Sequence, residues 1–132
     1  VTYFALGSIA TKQNSALKER LGIAEKRGGT RGPENVWGSA AMALICAFLS
    51  RALPEYSEMF RIGYVASIAS KLSDTLGSEI GKAYGNNTFL ITTLSRVPRG
   101  VEGAVSLEGT VAGLFGSIVI SALAAYLEVM PE

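Results

Sequence analysis

The sequence contains no histidine. That absence removes imidazole from every mechanism: neither a Ser-His-Asp nor a Cys-His apparatus can be assembled, and no histidine is there to bind a metal. Cysteine is nearly as scarce. Cys46 is the single one and sits in an apolar run, so an internal disulfide and a thiolate zinc cluster are both excluded, and the residue reads as a small buried hydrophobe. Charge is sparse too: 17% of the 132 residues are charged and the formal net charge is +1, so there is no global basic field of the kind a nucleic-acid-binding protein uses. The basic residues that exist are local. Six of the twelve Lys and Arg residues, namely Lys12, Lys18, Arg20, Lys26, Arg27 and Arg31, fall between positions 12 and 31 against only Glu19 and Glu25, and the segment reads as a basic loop.

What fills the chain instead is apolar. A hydrophobic fraction of 48% shifts it toward the membrane class relative to ordinary soluble domains. Val1–Thr11 is uncharged but shorter than the roughly 20 residues a bilayer requires, and with no charged segment before it the stretch reads as the tail of a membrane helix rather than a signal peptide. Spans are expected from about Val36 to Leu53 and over Ile62–Gly85. The strongest is Gly109–Leu127, GTVAGLFGSIVISALAAYL, which carries no charge at all. A soluble helical bundle would need amphipathic helices, and this last stretch has no polar face to offer water. The expected fold is therefore an all-α, polytopic membrane helix bundle with about three full spans plus a truncated N-terminal helix. Residues 1–132 form one integral-membrane domain, expected to be part of a longer polytopic protein. Loop charge predicts the topology: the basic 12–35 and 82–102 segments share the cytoplasmic side, or its organelle equivalent, and the Pro54–Arg61 turn faces away.

The stretch Ser73–Gly85, SDTLGSEIGKAYG, breaks the apolar pattern of its helix. Ser67, Ser70, Lys71, Asp74, Ser78 and Lys82 recur at intervals of three or four and form one polar stripe, with Leu72, Leu76 and Ile80 on the other side. Glu79 lies about 140° round from Asp74 and borders the stripe without stacking on that carboxylate. Ionisable residues at membrane depth cost roughly 2.5–3.5 kcal/mol on insertion scales, which makes them functional candidates. Gly77, Gly81 and Gly85 form a ridge that Gly109, Gly113 and Gly116 nearly repeat, a spacing suited to close helix packing. A phosphate-loop reading of GSEIGKA fails, because three residues instead of four separate Gly77 from Gly81 and Ala83 stands where Ser or Thr must bind magnesium.

The loops carry complementary chemistry. EKRGGTRGPEN, Glu25–Asn35, combines cations with glycines and Pro33 in a form suited to presenting amides and positive charge to an anion, although meeting anionic lipid would explain its composition as well. RVPRGVEGAVSLEG, Arg96–Gly109, brings Arg96, Arg99, Glu102, Ser106 and Glu108 to the entrance of the last span. Carboxylates that hold Mg²⁺ and cations that neutralise phosphate are what metal-assisted phosphoryl chemistry requires. The same features suit a transporter or proton-coupled carrier, whose glycine-interrupted helices also carry intramembrane carboxylates. A non-enzymatic membrane module would show no dependence on Asp74.

Three long stretches sharpen the choice: LGIAEKRGGTRGPENVWGS (Leu21–Ser39), ASKLSDTLGSEIGKAYG (Ala69–Gly85) and LITTLSRVPRGVEGAVSLEGTVAG (Leu90–Gly113). In that order they resemble the integral-membrane family, long catalogued as a domain of unknown function, that contains phytyl-phosphate kinase of the vitamin E pathway, in its plant and cyanobacterial branch. The resemblance implies transfer of a phosphoryl group from a nucleoside triphosphate, with CTP favoured, to phytyl phosphate, giving phytyl diphosphate for tocopherol and quinone synthesis in a chloroplast or cyanobacterial membrane. It implies Mg²⁺ as cofactor, the lipid bilayer and a prenyl-phosphate lipid as partners, and no nucleic acid. The family's SDT-x-x-SEIG motif falls on Ser73, Asp74, Thr75, Ser78, Glu79, Ile80 and Gly81. The resemblance marks these positions as important, and from their charge and position Asp74, Glu79, Ser78 and Lys82 are expected to be catalytic, Asp74 and Glu79 to hold the metal, and Lys26, Arg27, Arg31, Asn35, Arg99, Ser106 and Glu108 to bind phosphate or nucleotide. Val101, where a threonine is commoner, and Thr30, which interrupts a basic run, are minor departures.

Overall fold

The computed structural model describes residues 1–24 and 33–127, the second range without the side chains of residues 33–36, 38 and 39. Helix α1 spans Thr2–Lys12 and α2 spans Ser15–Arg20, with Asn14 between them in the left-handed region at φ 51°. Helix α3 covers Pro33–Ala52, a 3₁₀ turn Pro54–Tyr56, and α4 Ser57–Tyr84. Strands β1 (Thr88–Leu90) and β2 (Ala104–Ser106) precede α5, Leu107–Tyr126. The chain is thus mostly helical. The all-helical expectation is corrected in one place: β1 and β2 pair antiparallel, with Thr88 opposite Ser106 and Leu90 opposite Ala104. The basic loop is corrected as well, because Lys12 ends α1, while Lys18 and Arg20 belong to α2.

Two compact units divide the chain, one formed by Val1–Thr30 and Leu72–Gly116, the other by Arg31–Lys71 and Ser117–Glu132. In the second unit Cys46 of α3 is buried, and a β-carbon at Gly63 of α4 would come within 3.1 Å of its sulfur. A small apolar side chain is what that contact accepts, as its setting in the sequence predicts.

Helix α5 is long and apolar enough to cross a bilayer, and only 28% of its apolar window is buried. Its Val111, Leu114, Phe115 and Ile118 are each more than half exposed. The core helix of a soluble protein would be covered, and a helix that is apolar all round and largely uncovered is matched to hydrocarbon. Among the described residues it is alone in meeting that test; α3 contributes a shorter apolar run, Ala40–Ala52, and α4 carries Lys71, Asp74, Glu79 and Lys82 in its second half.

In the first unit the buried face of α4 includes Leu72, Leu76, Glu79 and Ala83, spaced three or four apart, while Asp74 and Ser78 lie on an exposed face. Helix α5 crosses α4 backbone to backbone: a β-carbon on Gly109 would sit 2.5 Å from the Gly77 carbonyl oxygen and 3.3 Å from the Gly81 Cα. The glycine ridges read from the sequence meet here, and only hydrogen side chains permit the approach. Beyond β1 the chain turns back through Gly100, whose φ of 88° and proximity to Ile23, 2.5 Å from where a β-carbon would stand, require glycine twice over.

Candidate functional site

The polar stripe of α4 opens onto a groove of about 660 Å³ within the first unit. Asp74, Ser78 and Lys82, at intervals of four, contribute one side, because a helical period stacks such positions along one face. The segment from Thr88 to Ser106 contributes another, with apolar Ile91, Val101 and Val105 and the carboxylate of Glu102. Gly109 and Thr110 from the first turn of α5 complete the lining. The groove is therefore amphipathic, with Asp74, Ser78 and Lys82 on α4 and aliphatic side chains together with the Glu102 carboxylate on the hairpin segment.

Beneath its α4 side runs a chain of three charges. Lys18 Nζ donates to Glu79 Oε2 at 2.7 Å, and Lys82 Nζ donates to Glu79 Oε1 at 3.3 Å. The Lys18 and Glu79 side chains are 1% and 4% exposed, whereas that of Lys82 is 25% exposed. Lys18 also donates to the carbonyls of Ala10 at 3.3 Å and Thr11 at 3.0 Å, near the C-terminal end of α1. All three ammonium protons are thus used. A cation at this end of a helix also complements its dipole, which is why a lysine can be taken out of water here.

Side-chain hydrogen bonds fix the ends of α4 and α5 around the groove. The Ala83 carbonyl, near the C-terminal end of α4, accepts from Asn14 Nδ2 at 2.9 Å and from Arg99 Nη1 at 3.3 Å, satisfying a group that lacks a helical partner. Ser106 Oγ accepts from the Gly109 amide at 3.1 Å, an N-cap for α5, and the Ser106 carbonyl accepts from Thr110 Oγ1 at 2.8 Å. Glu108 Oε1 accepts from the Asn86 amide at 3.2 Å and from Asn86 Nδ2 at 3.3 Å, tying the segment after α4 to the start of α5.

Of the residues singled out from the sequence, Asp74, Ser78, Lys82 and Ser106 line one groove. Glu79 lies beneath it, engaged by two lysines. Arg99 caps α4 and Glu108 holds Asn86, and neither is among the lining residues. Lys26, Arg27 and Arg31 lie outside the described residues; Asn35 is in the first turn of α3, and its side chain is likewise outside the description. Sequence reasoning missed Lys18, counted among loop cations, and the aliphatic side of the groove. The 61 positions between Lys18 and Glu79 leave no local signal for their pairing, whereas the i, i+3 spacing of Glu79 and Lys82 does leave one.

Magnesium characteristically takes one or two protein carboxylates and completes its shell with substrate phosphates and water. Asp74 on the groove, whose lining also includes Ser73 and Ser78, fits that partial donor set. Glu79, with both oxygens hydrogen-bonded to ammonium groups, is occupied otherwise. Among the described residues no group of three or more acidic or thiol ligands stands ready to hold an ion by protein alone.

The uncovered apolar helix and the glycine-mediated helix crossing are features of an integral membrane protein. The chain belongs to the family described as Integral membrane protein DUF92, which matches residues 1–131. It is 52% identical over 145 residues to an uncharacterized membrane protein of Synechocystis sp., covering 96% of this chain and 56% of that one. It is 51% identical over 128 residues to the protein VTE6, chloroplastic, of Arabidopsis thaliana, covering 95% of this chain and 38% of that protein. An uncharacterized membrane protein of the archaeon Methanocaldococcus jannaschii is 44% identical over 59 residues, 45% of this chain and 25% of the relative. The chain spans about half or less of the length of these relatives. No solved structure matches it.

Proposed function

We propose that this chain carries the phosphate-handling part of a membrane prenyl-phosphate kinase, which transfers the terminal phosphoryl group of a nucleoside triphosphate, CTP by preference, to phytyl phosphate. The product is phytyl diphosphate, the prenyl donor for tocopherol and related quinones, and the setting is a chloroplast or cyanobacterial membrane. Helices α3 and α4 cross the bilayer together with α5 in this reading, and the parent protein supplies further spans. Identity of about half to a chloroplastic plant protein and to a cyanobacterial membrane protein supports the setting. The observation that carries the chemistry is the amphipathic groove, in which Asp74, Ser78 and Lys82 share a cavity with Ile91, Val101 and Val105. A lipid monophosphate has the same two-sided character.

The reaction asks for little acid–base machinery. The attacking oxygen belongs to a phosphate monoester whose second pKa is about 6, so it is already anionic near neutral pH and needs no histidine to deprotonate it. That oxygen bonds to the γ-phosphorus, the bond from phosphorus to the bridging oxygen breaks, and the nucleoside diphosphate leaves with the electron pair. Lys82 neutralises charge on the phosphates, and the Ser78 hydroxyl, which here donates to the Thr75 carbonyl at 3.2 Å, turns its proton to a phosphate oxygen when substrate is bound. The amide end of α5, next to Gly109 and Thr110, adds positive potential at the same place. Asp74 would hold magnesium together with phosphate oxygens, and the ion, when bound, supplies charge neutralisation and in-line alignment of the phosphates. Lys26, Arg27 and Arg31 are assigned to the nucleotide phosphates by their charge and Asn35 by its amide, and Arg99, Ser106 and Glu108 act through the helix ends they secure.

The test is transfer of labelled γ-phosphate from a panel of nucleoside triphosphates to phytyl phosphate by the full-length parent protein in detergent or lipid with Mg²⁺. Diphosphate product is the expected result, and its yield across the panel identifies the donor. Absence of product with every donor, from protein shown to be folded, would overturn the kinase reading in favour of a carrier.

A further inference from the structure

The β1–β2 ribbon is built inside out. In a ribbon shaped for water the apolar positions face the protein and the polar ones face solvent. Here Thr88 and Ser106, opposite each other across the strands, are each only 6% exposed, while the next pair, Phe89 and Val105, is exposed. Ile91 and Leu94 just beyond β1 and Leu107 just beyond β2 add to this uncovered apolar surface, each more than half exposed. Leu94 is held there against its own preference. Its φ of 54° lies in the left-handed region that disfavours leucine, in a turn closed by the Leu94 amide donating to the Leu90 carbonyl at 2.8 Å and the Leu90 amide to the Ser95 carbonyl at 2.9 Å. Asparagine would suit that backbone better, and water as well. A leucine both strained and 77% exposed calls for an apolar medium outside the fold.

The neighbouring helix says what that medium is. Strand β2 ends at Ser106 and α5, the helix matched to hydrocarbon, begins at Leu107, so the ribbon stands at the level where α5 enters the bilayer. A short ribbon with an open edge cannot sit in dry hydrocarbon, whereas the boundary of headgroups and acyl chains offers water to its backbone and lipid to its apolar face. Ile91 and Val105 belong to the uncovered surface and also line the groove, so the two are continuous.

We infer that the outer face of the ribbon rests in this boundary layer and forms a lateral entrance, through which a long-chain lipid monophosphate passes from the leaflet into the groove. The inference rests on the kinase reading for the identity of that lipid, and its test separates the two.

Nitroxide labels at Phe89→Cys and Leu94→Cys are placed in the full-length parent protein, its other reactive cysteines replaced, in phosphatidylcholine nanodiscs. They report collision with oxygen, which concentrates in lipid, and with a nickel chelate, which stays in water. At both positions the ratio of oxygen to nickel collision is expected to be several-fold above that at Glu55, in the exposed turn before α4. An equal ratio would return the ribbon to water, and low collision with both reagents would show the parent's own helices covering it; either overturns the inference. Leu94→Asn separates entrance from folding. Relieved of backbone strain, this variant is expected to keep its stability, while KM for phytyl phosphate supplied in the bilayer rises roughly threefold to tenfold and KM for a short, water-soluble prenyl monophosphate stays unchanged. An unchanged KM for the bilayer substrate would overturn the entrance, as would a rise shared by the soluble one. In a protein without turnover the same comparison is read as the yield of cross-linking of photoactivatable prenyl monophosphates to residues 88–107. A yield that falls in Leu94→Asn for the long-chain probe alone would keep the entrance and discard the kinase, and an unchanged yield would discard both.

Discussion

Gly109 of α5 faces Gly77 of α4 so closely that one added carbon would stand 2.5 Å from the Gly77 carbonyl oxygen. Neither partner at that contact is the flexible end of a side chain, so relief requires moving a helix. Overpacking of this kind costs about 1–3 kcal/mol. Gly109→Ala should therefore lower the stability of the detergent-solubilised protein by about that amount, read as a shift in its denaturation midpoint. Gly77→Ala, whose β-carbon would come only to 3.3 Å of the Gly109 oxygen, should cost less. Equal losses at both positions would contradict the asymmetry of the crossing.

Asp74 is the carboxylate that α4 presents to the groove. Asparagine preserves its shape and removes its charge, so Asp74→Asn should leave membrane insertion intact while kcat for phosphoryl transfer falls by roughly 100-fold or more, as when one preorganised electrostatic group is removed. Kinetics over a Mg²⁺ titration provide the check. Full activity in this variant would sink the assignment of the metal to Asp74.

Ser106 lines the groove and also caps α5, and the two roles predict different losses. Removing an N-cap hydroxyl costs about 0.5–2 kcal/mol. Ser106→Ala should reduce stability within that range, and Ser106→Asp, which keeps a capping oxygen, should restore some of it. If the alanine variant keeps its stability and loses only turnover, the hydroxyl belongs to the substrate and not to the helix.

The helices were legible because their signals are local. The uncharged run of α5 and the period of the α4 stripe lie within single segments, and the two glycine series announced close helix packing, while the structure alone pairs Gly109 with Gly77. Asp74, Ser78, Lys82 and Ser106 were picked out by residue type and found on one groove. The β1–β2 pair was not legible: each strand is three residues long, too short for alternation to declare itself, and the pairing is made across a 13-residue excursion. Lys18 was misread for a related reason. Composition groups it with neighbouring cations, and only the tertiary fold carries it to Glu79.

The aliphatic side of the groove yields a prediction about the lipid end of the substrate. Val101 is 42% exposed and lies in the loop before β2, so a polar residue there disturbs neither strand nor helix. Full burial of a valine side chain is worth about 1.5–3 kcal/mol, and an incomplete contact proportionately less. Val101→Asp should therefore raise KM for phytyl phosphate roughly tenfold while leaving KM for the nucleotide unchanged, and the penalty should shrink with short prenyl monophosphates that do not reach the hairpin segment. Steady-state kinetics over a series of chain lengths measure this directly. A penalty that ignores chain length would remove Val101 from the lipid path and leave the groove to the phosphates alone.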